Sequence, residues 1–233
     1  MKIIPAIDLI DGQNVRLSQG DYNKQSQMKK TPHEALEFYA GFESVQRIHV
    51  VDLMGALKKQ ALESNLVKEL VGQSSLPFEI GGGLRSLETI KQYHDIGVEY
   101  FILGTRAITD VAWLKEAAEL FPGKIFVGVD AKENDIYING WTENSGILID
   151  DYLKTVEDFS LAGIIYTDIN KDGMGLGPNF ENTARVNNMT RHKVVASGGI
   201  RNKADLDKLE SLGITEAIVG KASHNDKFWE GIK

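Results

Sequence analysis

The 233-residue chain contains no cysteine. That removes disulfides, thiolate nucleophiles and cysteine-based metal sites together, and it fits a reducing compartment. There is no excess of basic residues either: 33 Asp and Glu stand against 26 Lys and Arg, a formal net charge of −7. A chain of that balance has no global attraction to nucleic acid or anionic membrane, so any anion it binds must be held locally. Long apolar runs are missing as well. The opening segment "MKIIPAIDLIDG" is broken by Pro5 and Asp8 and reads as neither a signal peptide nor a membrane span. The five histidines (His33, His49, His94, His192 and His224) are scattered with no H-x-x-x-H or neighbouring carboxylate pattern, which speaks against a metal site; His49, inside "RIHVVD", reads as a packed core residue. No G-x-S-x-G nucleophile motif occurs, and no dinucleotide fingerprint follows a strand. The expectation is a cytoplasmic protein, monomeric, with neither a nucleic-acid nor a membrane partner.

What the chain does have is alternation. Eight short runs, "KIIPAI", "RIHVVD", "PFEI", "EYFIL", "KIFVGVD", "GIIYTDI", "KVVAS" and "EAIVG", are mostly apolar throughout, as strands buried on both faces of a parallel sheet are. Helical patterns lie between them. Leu62, Leu66, Val67 and Leu70 share a face, as do Leu87, Ile90 and His94 or Tyr93, and again Leu206, Leu209 and Leu212. Further helices are expected over 32–40, 110–121, 149–162, 180–189 and 226–231. Eight strand–helix alternations at this length point to a single closed (β/α)8 barrel domain over 1–233, with an open doubly wound sheet as the competing arrangement.

Landmarks of the first half return in the second. Asp52 of "VVDL" and Asp168 of "YTDI" are 116 residues apart, as are Arg85 of "GGGLR" and Arg201 of "SGGIR", and Gly104 and Gly220 of "LGTRA" and "VGKAS". Asp8 and Asp130 differ by 122. The pattern reads as two half-barrels, approximately 1–120 and 121–233. It places Asp8 at the end of strand 1 and Asp130 at the end of strand 5, on opposite walls of the mouth where barrel enzymes do chemistry. Two carboxylates so placed can address one small molecule as acid and base; the symmetry alone leaves open which is which. "IGGGLRS" and "ASGGIRN" each follow a strand and lead into a helix, so their glycines and the helix N-terminus offer backbone N–H groups to an anion. This selects Gly82, Gly83, Arg85, Ser197, Gly198 and Gly199, and the next loops add Gly104, Thr105, Arg106, Gly220 and Lys221. Together they specify an elongated bisphosphate, anchored at both ends, undergoing proton transfer at its centre. Trp141, in the loop after strand 5, can stack on a flat ring or pack beneath its own loop.

The motifs "IPAIDLIDGQNVRLSQGDY", "IGGGLRS", "GVDAKENDIYINGW", "YTDINKDGMGLGPN" and "SGGIR" resemble, in order and nearly end to end, the phosphoribosylformimino-5-aminoimidazole carboxamide ribotide isomerase family of histidine biosynthesis. The resemblance implies an Amadori rearrangement of a two-phosphate ribonucleotide, aminoaldose to aminoketose, with no metal or redox cofactor. It implies Asp8 as general base, Asp130 as general acid, Thr167 and Asp172 supporting the acid, and Arg16 and Trp141 closing over the substrate. Two other readings share the anion sites: the sister cyclase, which carries Cys where this chain has Ala6 and a lysine in place of "VRL" (Val15 to Leu17), and a non-catalytic sugar-phosphate binding protein.

Overall fold

All eight apolar runs become strands of one ring, in a computed structural model that describes residues 1–18, 21–58 and 60–232. Gln19 and Gly20, inside the first of the quoted motifs, lie outside the described residues. In chain order the strands are β1 (Lys2–Ile10), β2 (Gln13–Ser18), β3 (Asp21–Gln27), β4 (Ile48–Asp52), β5 (Phe78–Gly81), β6 (Tyr100–Leu103), β7 (Ile125–Lys132), β8 (Asp135–Ile138), β9 (Glu143–Leu148), β10 (Gly163–Asp168), β11 (Val194–Ser197) and β12 (Glu216–Val219). Parallel pairing runs β1, β4, β5, β6, β7, β10, β11, β12, and β12 returns to β1. The protein is therefore a closed (β/α)8 TIM barrel, and the open sheet is excluded. Closure removes every strand edge from the ring, so its backbone groups are paired without help from side chains.

Four strands stand outside the ring. β2 folds back antiparallel on β1, pairing Asp8 with Val15, and β3 follows β2. Similarly β8 folds back on the end of β7, and β9 on β8. Each carboxylate-bearing strand thus runs past its aspartate and carries a hairpin over the mouth.

The core has two parts. Most buried apolar residues lie between the outer face of the ring and the helices, including Tyr39, Phe78, Tyr93, Phe101 and Tyr152. A smaller set fills the inside of the barrel: Ile4, Ala6, Phe126, Ile165, Val195 and Ile218. The helix Ser64–Gln73 buries Val67 and Leu70, but Leu62 precedes it and is exposed. In Leu87–Asp95 the buried position falls to Tyr93, not His94. Leu212 is the residue after Lys203–Ser211 and stays exposed, because the helix has ended before the face could continue. The helix expected over 149–162 spans only Ile149–Val156; Phe159 N–H turns back to the Val156 carbonyl and Leu161 N–H to that of Phe159, tight turns that cannot propagate an α-helix.

The repeated aspartates at the ends of β4 and β10 turn out to tie loops. Asp52 is fully buried and accepts from the backbone N–H groups of Gly55 (2.6 Å), Leu62 (2.6 Å) and Glu63 (3.0 Å). Asp168 accepts from Asn170 N–H (2.9 Å) and Asn179 Nδ2 (2.6 Å). Charged acceptors in a dry setting make strong hydrogen bonds, and their loss strands the donors. Asp52→Ala is expected to cost about 3 kcal/mol, read as a lower urea midpoint; a loss below about 1 kcal/mol would show that the three N–H groups find other partners.

Candidate active site

Counting around the ring, β1 and β7 are four strands apart, so Asp8 and Asp130 face each other across the C-terminal mouth. The pairs β5–β6 and β11–β12 occupy the other diameter. A cavity of about 960 Å³ opens there, a size suited to a small-molecule ligand. All seventeen candidate residues border it: Asp8, Asp130, Thr167, Asp172, Arg16, Gly82, Gly83, Arg85, Gly104, Thr105, Arg106, Trp141, Ser197, Gly198, Gly199, Gly220 and Lys221. Residues separated by up to 213 positions are thereby brought to one surface. Among the described residues, no group of three or more His, Asp or Glu side chains is arranged to hold a metal ion.

The two carboxylates sit in different surroundings. Asp8 is joined to the first hairpin by Arg16, whose Nη1 lies 3.0 Å from Asp8 Oδ2. Arg16 Nη2 reaches both oxygens of Asp172 at 3.0 and 2.9 Å. Burial would lower the guanidinium pKa, but the Asp8 and Asp172 charges outweigh it and hold it above the ordinary value, so Arg16 is a permanent cation in the mouth. Its guanidinium also lies against Gly220: a β-carbon there would come within 2.9 Å of Arg16 Nη1 and push the guanidinium aside. Asp130 has no such counter-charge in contact. Its pKa is raised, chiefly by desolvation; the Trp141 and Thr167 side chains nearby pull the value down, Asp172 raises it and His49 lowers it. Trp141 holds this place from a left-handed backbone (φ 70), a conformation that costs a bulky residue energy and is concentrated at functional sites.

The two glycine turns form where the motifs place them, with one correction to the donors around them. Gly83 (φ 75) and Gly199 (φ 81) are left-handed, and a β-carbon on either would meet a neighbouring carbonyl oxygen at 2.6 Å. However, the helices that follow these loops are already capped by side chains, Ser86 on Thr89 N–H and Asn202 on Asp205 N–H. Arg201 is likewise committed, its guanidinium and backbone N–H bound to Asp205. The two short helices that begin in the next loops, Thr105–Thr109 and Lys221–His224, start at Gly104 and Gly220 without a side-chain cap. Uncapped backbone N–H groups at these loops are thus those of the short-helix starts, beside the glycine turns. Arg106 borders the cavity but is turned aside, donating to the Arg85 carbonyl and stacking 4.3 Å from the Trp113 ring.

Two features went unrecognised in the sequence. His49 is no packed core residue: it borders the cavity, with Nδ1 2.7 Å from Glu79 Oε1. Strict alternation in "RIHVVD" carries the signal, because it turns His49 and Val51 to the face opposite the buried Ile48 and Val50. His224 borders the same cavity, and burial pushes its pKa down to about 4, leaving it neutral. The second feature is a contact between loops: Asn139 N–H donates to Thr105 Oγ1 at 3.0 Å, bracing the second hairpin on the first anion loop. Nothing local in the sequence announces it.

The raised Asp130 pKa has a consequence for stability. In the unfolded chain the carboxyl ionises near 3.8, whereas the folded protein keeps the proton to higher pH. Between those values the folded state binds more protons, so stability falls as pH rises, and the penalty persists above the folded value. Asp130→Asn abolishes the titration. It should melt above the wild type near neutral pH, with the gain shrinking toward pH 3.8. An equal gain at both ends of a melting series across this range would reject the desolvated carboxyl.

The family described as histidine biosynthesis protein matches residues 2–229, and the chain belongs to this family of histidine-biosynthesis TIM-barrel enzymes, which includes isomerase and cyclase types.

Proposed function

We propose that the protein is the isomerase of this family, converting a formimino aminoaldose ribonucleotide with two phosphates into its aminoketose by general acid–base catalysis. The observation that carries this reading is the difference between the two facing carboxyls, one desolvated and raised in pKa, the other paired with the Arg16 guanidinium. Environments that separate two titratable groups assign one to give a proton and the other to take it. Asp130 then protonates the ribose ring oxygen as the ring opens, and Asp8 removes the C2′ proton from the resulting Schiff base. The enaminol relaxes to the ketone. Thr167 and Asp172 stand beside Asp130 for its proton transfer, and Trp141 covers the reacting sugar. Arg16 bridges Asp8 and Asp172, so the substrate has to draw it aside before Asp8 meets C2′. The glycine loops and short-helix N–H groups on the perpendicular diameter suit a phosphate at each end. Against the cyclase stand Ala6 in β1 and Val15 to Leu17 in β2, where that enzyme type has cysteine and lysine.

Turnover of the purified protein on the formimino aminoaldose bisphosphate, followed by ultraviolet absorbance after coupling to a cyclase, tests the reading. Conversion that resists chelator is expected. Asp8→Asn and Asp130→Asn should each lower kcat by about 10²–10⁴-fold while ligand binding is retained. Absence of conversion, with phosphate-dependent binding intact, would transfer the protein to the cyclase or to a silent binding role.

A further inference from the structure

Along each barrel strand, side chains two positions before the mouth residues form the next inward layer. At that depth the cavity is lined by Ala6, Ile102, Gly128, Ile165 and Ile218, and by one polar side chain, His49. Its neighbour across the β4–β5 ladder is Glu79. Glu79 is fully buried and both its oxygens are used: Oε1 by His49 Nδ1 at 2.7 Å, Oε2 by Arg47 Nε. Arg47 continues to Glu216 Oε2 through Nη1 (2.6 Å), and Lys193 closes the other Glu216 oxygen (2.8 Å). The Arg47 guanidinium is further packed 4.9 Å from the Phe126 ring. Burial pushes Glu79 toward its neutral acid, but His49 and Arg47 outweigh it and hold its pKa below the usual value. A carboxylate bound in this way can only accept. The proton on the shared bond therefore belongs to His49 Nδ1, and Nε2 has no hydrogen bond among the described residues. A buried ion cluster is a weak source of stability. Aligning a single imidazole under the reacting centre gives it a purpose.

We propose that His49 is a substrate-contacting residue, its Nε2 accepting a hydrogen bond from a sugar hydroxyl on the cavity floor, and that Glu79 is the positioning residue that fixes its tautomer. The hydroxyl assignment rests on the isomerase reading; the tautomer does not. In the full chain labelled with 15N-histidine, the His49 ring should show protonated Nδ1 and unprotonated Nε2 near neutral pH, and the Nε2 resonance should shift on titration with ribose 5-phosphate. Protonated Nε2, or an unmoved resonance at saturating phosphosugar, overturns the proposal. In turnover of the formimino bisphosphate, His49→Leu should lower kcat about ten- to hundred-fold, the size of one lost substrate hydrogen bond, with KM nearly unchanged because the phosphate anchors remain. His49→Gln, which keeps an acceptor, should recover part of the loss. Wild-type kcat in His49→Leu overturns the contact. Glu79→Gln should redistribute the ring tautomer and lower kcat; if it does not fold, the His49 variants and the nitrogen spectrum still decide. Failure of the wild type itself to turn over the bisphosphate removes the isomerase reading, and the ribose 5-phosphate shift then decides the contact alone.

Discussion

Lys2 to Pro5 pair with Glu216 to Val219, and this ladder turns a row of strands into a ring. Every feature of the site follows from that closure. A ring of eight has opposite members, so β1 faces β7 and the two glycine-loop pairs face each other. The pleat then decides which side chains enter: Asp8 and Asp130 turn inward because their neighbours Ile7 and Val129 belong to the outer core. A slip of one residue in either strand would bury the carboxylate among apolar residues and aim an isoleucine or valine at the ligand.

Carboxylates appear at three levels of the barrel and do different work at each. Glu79 and Glu216, deepest, are neutralised by Arg47 and Lys193 and orient one imidazole. Asp52 and Asp168, at the outer rim, collect N–H groups of the loops that follow their strands. Asp8 and Asp130, between them in the mouth, border the cavity, Asp8 paired with Arg16 and Asp130 without a cation in contact. The side-chain chemistry is the same throughout; the count of donors and counter-charges around each separates loop anchors, members of the buried ion cluster and the cavity-lining pair. The two hairpins add an asymmetry, one bringing the Arg16 cation to Asp8, the other bringing the Trp141 indole to Asp130.

Much of this was legible in the chain. Apolar strands, intervening helical faces and recurrent Asp and Gly–Gly landmarks are local patterns, and local patterns survive in one dimension. Helix ends were less legible: Tyr93 and His94 compete for one face, and Leu62 and Leu212 fit their helical periods although neither helix reaches them. The roles of Asp52 and Asp168 were not legible either. As strand-end aspartates they look like Asp8 and Asp130, and only the loop N–H groups converging on them mark the difference. His49 was misjudged because a histidine amid Ile and Val reads as core, while its partner Glu79 lies thirty residues away.

By itself, the sequence determined the barrel class, the strand order around it, and the set of residues that border its mouth, because strand and helix periodicity, chain length and a repeated pattern constrain how apolar surface can be buried. Tertiary structure alone decided which of those residues are committed and which are free. Whether a helix start is capped, whether Arg201 is spent on Asp205, whether Arg16 lies on Asp8, and whether a carboxyl is desolvated or paired all depend on groups remote in sequence. Electrostatics and hydrogen bonding act through space at a few ångströms, and no spacing along the chain encodes those distances.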